Sequence, residues 1–224
     1  MEMKDFHSAA KAIELGGLEG LGKAAEIVGP KAAFALAVAH VRRNFGSMGM
    51  CPADPAIDEM VNHMTPAYQF ALFCTGKWYC FDNSSAFSVK WRGEAYPTVE
   101  HAYQAAKFTD RHGNSIGEVG DTPEPMADLI RKATSVHEAK RLAHSFPFRI
   151  SVREDWSEEL KLEIMESLLR AKHAQHEYIR EKLVQSRGAL LVEDSDQDAF
   201  WGRGPNWDGR NHLGKLWMKI RDES

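Results

Sequence analysis

Asp198-Ala-Phe-Trp-Gly-Arg-Gly-Pro-Asn-Trp-Asp-Gly-Arg-Asn-His-Leu-Gly214 is the densest run of special-purpose residues in the chain. Two tryptophans, four glycines, two arginines and two asparagines fall within seventeen residues, a make-up suited to a ligand approaching the backbone. Glycine permits positive φ and close main-chain contact. Tryptophan offers a flat face and one N–H donor, and the arginine fork bonds two phosphate oxygens at once. With Asp198 at its entrance, the stretch reads as a nucleotide-binding loop. A surface turn carrying packed aromatics is the alternative.

Upstream, Ala189-Leu-Leu-Val-Glu193 reads as a short strand feeding this loop. A helix around Tyr178–Gln185 precedes it, with Gly188 as its stop. Asp155-Trp-Ser-Glu158 opens a longer helix whose Leu160, Ile164, Met165, Leu168, Leu169 and Lys172 form a core stripe with a basic end. Ser135-Val-His-Glu138 is a capping-box pattern for a helix reaching about Ser145. Residues 110–125 form a polar loop long enough to act as a lid or specificity element. Downstream, Leu213–Arg221 is helix or strand; so short a segment does not decide by periodicity.

Tyr96-Pro-Thr-Val-Glu-His-Ala-Tyr-Gln-Ala-Ala-Lys-Phe108 is the second informative block. Thr98 is a suitable N-cap, which places Glu100 in the first helical turn. Glu100, Gln104 and Lys107 then share one face, and Val99, Tyr103 and Ala106 share another, read as the core face. Before this block, Ala71–Cys74, Lys77–Phe81 and Phe87–Trp91 are β-prone, and Arg92-Gly93-Glu94 turns the chain, which suggests a small antiparallel sheet or hairpin. Residues 1–70 are alanine-rich and read as helical, with Pro30 opening a helix to Arg43 and a short helix near Ile57–Met64. Nothing in them has catalytic spacing, and they read as a helical cap or partner surface rather than a site.

Net charge is −4 over 224 residues, so nucleic acid would need a local basic patch. Three cysteines without a Cys-x-x-Cys pair argue against a disulfide framework and against zinc, and fit a reducing cytosol. The N-terminus lacks signal-peptide order. The longest apolar run, Ala32–His40, is far short of the ~20 residues that span a bilayer. A cytoplasmic protein without membrane contact is the expectation.

Familiar metal and nucleophile patterns fail. Asp194-x-Asp196-x-Asp198 begins like a calcium loop but has Ala199 and Pro205 where glycine and glutamate are required. His137-Glu138 begins like a zinc-protease helix, but Arg141 stands at the second histidine position. Gly202-x-Gly204 lacks a third glycine, since Trp207 occupies it. Carboxylates and stacking aromatics without a metal or thiol suit cleavage of a glycosidic bond, whose transition state places positive charge on the sugar.

At three blocks the sequence resembles the NADAR superfamily, the YbiA-like N-glycosidases: Tyr96–Phe108; Leu168-Leu-Arg-Ala-Lys-His-Ala-Gln-His176; and Leu191-Val-Glu193 with Asp198–Gly202 and Gly209–Gly214. The match runs from Phe73 to Arg221. It implies a mainly helical α+β fold, with a YbiA-like domain over residues 71–224 and the helical extension over 1–70. It also implies hydrolysis of a bond between ribose and a base-like amine; family activities include cleavage of early riboflavin-pathway intermediates and removal of ADP-ribose from guanine. By motif position Glu100, Asp198, Trp201 and Asn211 are site residues, Gly202 and Gly214 shape the loop, and Asn83 matches an upstream asparagine. Asp82, Ser84 and His173 depart from the family pattern, which bears on substrate more than on reaction.

The resulting expectation is a metal- and cofactor-independent N-glycosidase acting on a ribosylated base or on ADP-ribosylated guanine, possibly within nucleic acid. Glu100 and Asp198 are the catalytic candidates. Asn83, Gln104, Lys107, Lys172, Trp201, Gly202, Arg203, Trp207, Arg210, Asn211 and Gly214 are the substrate-binding candidates, with Arg203, Arg210 or Lys107 holding phosphate. The competing reading is a non-catalytic ADP-ribose or NAD-derivative sensor.

Overall fold

Thr98 starts the helix around which half of the chain is arranged. In the computed structural model its side chain accepts the His101 N–H and caps α2 (Val99–Ala106). The structure describes residues 3–28, 33, 37, 70–73, 76–116, 124–144, 152–205 and 208–224. The helices expected near Pro30–Arg43 and Ile57–Met64 fall largely or wholly outside these residues. The elements are α1 (Met3–Val28), β1 (Phe70–Leu72), a 3-10 turn (Gly76–Phe81), β2 (Val89–Trp91), β3 (Glu94–Tyr96), α2, α3 (Met126–Lys132), α4 (Val136–His144), α5 (Glu158–Gln175), α6 (Glu177–Gln185), β4 (Leu190–Val192) and α7 (His212–Asp222). They divide into two compact units, one formed by Met1–Trp78 with Leu183–Ser224 and the other by Tyr79–Lys182.

In the Tyr79–Lys182 unit, β2 and β3 pair antiparallel, Val89 opposite Tyr96. Arg92 and Gly93 both take positive φ, 51° and 87°, the pairing that a two-residue hairpin turn demands. Gln175 acts as a substitute strand on the edge of β2: its Oε1 accepts the Lys90 N–H at 2.8 Å and its Nε2 donates to the Lys90 carbonyl at 2.9 Å. Trp91 Nε1 donates to Ser167 Oγ at 2.9 Å, fixing the hairpin to α5. Helix α2 packs against α3, α4 and α5. Every residue of α2 is buried, the face of Glu100 and Gln104 as well as the face read as core. Its neighbours cover both sides. The α5 stripe is buried at Ile164, Met165, Leu168, Leu169 and Lys172. At α4, Ser135 Oγ accepts the Glu138 N–H, but the Glu138 carboxylate reaches back to Thr134, one residue further than a capping box. Helix α3 had no counterpart in the sequence reading.

In the other unit, β1 and β4 pair in parallel, Phe70 opposite Leu190. The run Lys77–Phe81, where the chain passes from one unit to the other, is a 3-10 turn rather than the strand its aromatic content suggested. Leu213–Arg221 lies within helix α7, which packs on β4. Ala9, Ile13, Ala24 and Val28 of α1 form one apolar cluster with Val192 of β4. A Cβ on Gly20 would collide with the Ala12 carbonyl.

Among the described residues, Cys80 is a free buried thiol whose pKa burial pushes up. None of the described helices is long and apolar enough to cross a membrane.

Candidate active site

Glu100 is 6% exposed, in the first turn of a helix that is itself enclosed. Its Oε1 accepts Gln104 Nε2 at 2.8 Å, the i,i+4 contact that the sequence spacing required. Lys140 Nζ of α4 stands 3.5 Å from the same oxygen. Both donors converge on Oε1, which fixes the rotation of the carboxylate and leaves Oε2 for other use.

Asn83 reaches this helix through its backbone: its carbonyl accepts the Glu100 N–H at 2.9 Å. The Asn83 Oδ1 and the Gln104 Oε1 are both buried without a hydrogen-bond partner. Buried acceptors of this kind are unfavourable until a donor reaches them. Two such atoms on residues bonded to Glu100 call for hydroxyl, amine or water donors.

Lys172 is fully buried and donates to the Asp82 carbonyl at 3.0 Å and to Ser85 Oγ at 2.7 Å. It therefore clamps the turn that carries Asn83. Burial pushes its pKa down to about 7, against the opposing pull of Cys80 and Asp82. Burial raises the Asp82 carboxyl, although the Ser84 N–H bonds it at 2.5 Å. Lys107, at 8% exposed, lies 2.9 Å from His144 Nε2. Burial is the main reason its pKa falls, to about 8; Glu100 opposes the shift and Lys161 and Lys140 add to it. Lys140 and His144 were not singled out from sequence. Their i,i+4 spacing on a capped helix was the available signal.

The glycine-rich loop belongs to the other unit and is closed by its own backbone. Arg210, His212 and Leu213 donate N–H groups to the carbonyls of Ala199, Phe200 and Trp201, and Asn211 donates to Gly202. Asp198 Oδ1 accepts the N–H groups of Phe200 and Trp201 at 2.9 and 2.8 Å, so this oxygen shapes the turn. Asn211 is wholly buried at φ 48°, in the left-handed region that asparagine tolerates best after glycine. Its Oδ1 accepts the Glu193 N–H at 3.1 Å and its Nδ2 donates to the Leu191 carbonyl at 2.9 Å, tying α7 to β4. A Cβ on Gly214 would run into the Leu191 carbonyl, and one on Gly202 would sit 2.9 Å from the Glu193 carbonyl. These glycines allow loop and helix to approach the strand.

Arg203, at 1% exposed, donates to Asp194 Oδ1 at 2.5 Å and to the Gly204 carbonyl at 2.9 Å. Arg210 is exposed and lies 4.4 Å over the Phe200 ring. Trp201 is half-buried and meets Phe200 edge-on at 4.8 Å. Trp207 lies outside the described residues.

Glu100, Gln104, Lys107, Asn83 and Lys172 thus fall in one unit, and Asp198, Trp201, Gly202, Arg203, Arg210, Asn211 and Gly214 in the other. A family model described as the NADAR domain matches residues 65–223. The chain belongs to the NADAR domain family. Among NADAR relatives it is 35% identical over 143 residues to N-glycosidase YbiA of Shigella boydii, covering 64% of this chain and 79% of that protein. It is 37% identical over 144 residues to N-glycosidase Npun_R5314 of Nostoc punctiforme, 64% of this chain and 84% of that one. It is 33% identical over 150 residues to the chloroplastic riboflavin biosynthesis protein PYRR of Zea mays, of which only 23% is covered. The NMR structure of Escherichia coli YbiA shares the NADAR fold at a TM-score of 0.55 and 31% identity, covering 69% of this chain and 82% of that one.

Proposed function

We propose that this chain is a hydrolase of N-glycosyl bonds that releases a base-like amine from a (phospho)ribose or ADP-ribose group. The class of reaction is supported by curated relatives named N-glycosidases. The relatives named riboflavin biosynthesis proteins favour a phosphoribosylated amine of that pathway, while ADP-ribosylated guanine is the other substrate.

The observation that carries the reading is Glu100: a buried carboxylate with one oxygen anchored by Gln104 and Lys140. As the C1′–N bond breaks, its electron pair leaves with the nitrogen and positive charge builds on the ribose. A fixed anion stabilises that charge without reorganising. Glu100 Oε2 accepts a proton from the water whose oxygen bonds to C1′, and solvent protonates the departing amine. The unpartnered Asn83 Oδ1 and Gln104 Oε1 accept from ribose hydroxyls or from the attacking water.

Incubation with a panel of phosphoribosylated amines and ADP-ribosylated guanosine, followed by chromatography for free base and free sugar, tests this. Release of base from at least one, abolished in Glu100→Gln, is expected. Tight binding throughout with no release would reduce the chain to a sensor.

A further inference from the structure

Helix α4 lays Lys140 and His144, one turn apart, over Glu100 of α2 and Lys107 at its C-cap. Lys140 Nζ is 3.5 Å from Glu100 Oε1, and His144 Nε2 is 2.9 Å from Lys107 Nζ. The two rungs differ in charge. In the first, a cation meets a carboxylate. In the second, a buried ammonium meets an imidazole nitrogen, which accepts only while neutral. Among the described residues no carboxylate lies within ion-pair distance of Lys107.

An ammonium withdrawn from water without a counter-ion is strongly unfavourable. Burial is the main effect that strips the proton from Lys107; Glu100 offsets part of it, and the charges of Lys161 and Lys140 add to it. Positive charge is therefore concentrated beside Glu100 in a chain whose net charge is −4. The arginines first considered for phosphate are engaged elsewhere: Arg203 with Asp194, and Arg210 over Phe200.

We infer that Lys107 and Lys140, flanked by His144 and Lys161, form an anion subsite that takes a phosphate group of the substrate beside Glu100. That the anion belongs to the substrate rests on the glycosidase reading above; the subsite itself rests on the two rungs. Phosphate supplies the acceptor oxygens and negative charge that Lys107 lacks, and charge-assisted bonds to it are the strong kind. Lys140, at 49% exposed, is placed to meet the ligand as it arrives.

The test is calorimetric titration of the full-length protein with ribose, ribose 5-phosphate and ADP-ribose. Wild type is expected to bind at least one phosphorylated probe at least tenfold more tightly than ribose. Lys107→Met and Lys140→Gln are each expected to remove most of that preference, read as the ratio of phosphorylated-probe to ribose affinity within the same variant. Lys140 is half-exposed, so its variant remains informative if Lys107→Met fails to fold. A preference for ribose 5-phosphate assigns the subsite to a monoester and a preference for ADP-ribose to a diphosphate. Equal binding of all three by wild type, or equal loss of all three in both variants, overturns the subsite. Because the readout is binding without turnover, an error in the assigned reaction leaves it untouched. Conversely, an active enzyme indifferent to phosphate sinks the subsite alone.

Discussion

Gln104 Nε2 donates to Glu100 Oε1 across 2.8 Å, one helical turn away, and both residues are almost wholly enclosed. A hydrogen bond to a charged acceptor is worth about 1.5–3 kcal/mol, so this bond holds the carboxylate in one orientation. Gln104→Leu should lower kcat/KM by roughly tenfold to a hundredfold, because 1.4 kcal/mol is about one decade. Gln104→Met should behave alike. Steady-state kinetics of both variants would expose a purely structural role as a fall in melting temperature with normal kcat per folded molecule.

Removing the charge itself should be more severe. Glu100→Gln keeps the shape of the side chain but takes away the base and the anion. Turnover should fall by at least about a hundredfold, the usual size of a positioned general base. Single-turnover kinetics and a circular-dichroism melt decide it; near-normal turnover would dismiss Glu100 from the chemistry.

Lys107 gives a pH signature. Its folded pKa is pushed down to about 8 from an ordinary 10.5, and the charges facing it are Glu100, Lys140, Lys161 and the ring of His144. Between these two values the unfolded chain holds a proton that the folded chain does not. Stability therefore rises with pH across that window, and the penalty of the buried charge is fully present below it. The gain is on the order of 3 kcal/mol at most. Lys172 adds a gain of the same sign starting near pH 7. Urea melts at pH 7 and pH 10 should show wild type gaining more stability than Lys107→Met over this range. Equal gains would mean that Lys107 stays solvated.

Asn211 separates architecture from ligand contact. Both ends of its amide bond the backbone of β4 or the residue after it, and its φ is 48°. Asn211→Ala leaves a buried N–H and a buried carbonyl without partners, each costing about 1–3 kcal/mol. The melting temperature should drop clearly while ligand affinity per folded molecule holds. Unchanged stability with lost affinity would restore Asn211 to the binding site.

The N-terminal helix is testable by truncation. Ile13, Val28 and Val192 are buried in one cluster, and each such side chain contributes about 1.5–3 kcal/mol when enclosed. A chain beginning after residue 28 should expose Val192 and melt several degrees lower. An unchanged melting temperature would show the helix to be dispensable for the fold.

Local chemistry was legible without coordinates. Thr98 as a cap, the Asp155–Glu158 stretch opening α5, the Arg92-Gly93 turn, the buried α5 stripe and the Glu100–Gln104–Lys107 face all follow from contacts within one element, where residue spacing fixes geometry. The family was legible too, since its blocks lie in those same elements. Tertiary structure alone decided that β1 pairs in parallel with β4 rather than with its sequence neighbours. It decided that Lys77–Phe81 forms a turn, and that α2 is enclosed on every side, so that Glu100 and Lys107 are buried. It also set the amide of Asn211 and the fork of Arg203 to holding the chain's own loop. Spacing along a helix or strand specifies which residues share a face. Which element then covers that face depends on chain topology and competition for burial, and those are properties of the whole fold.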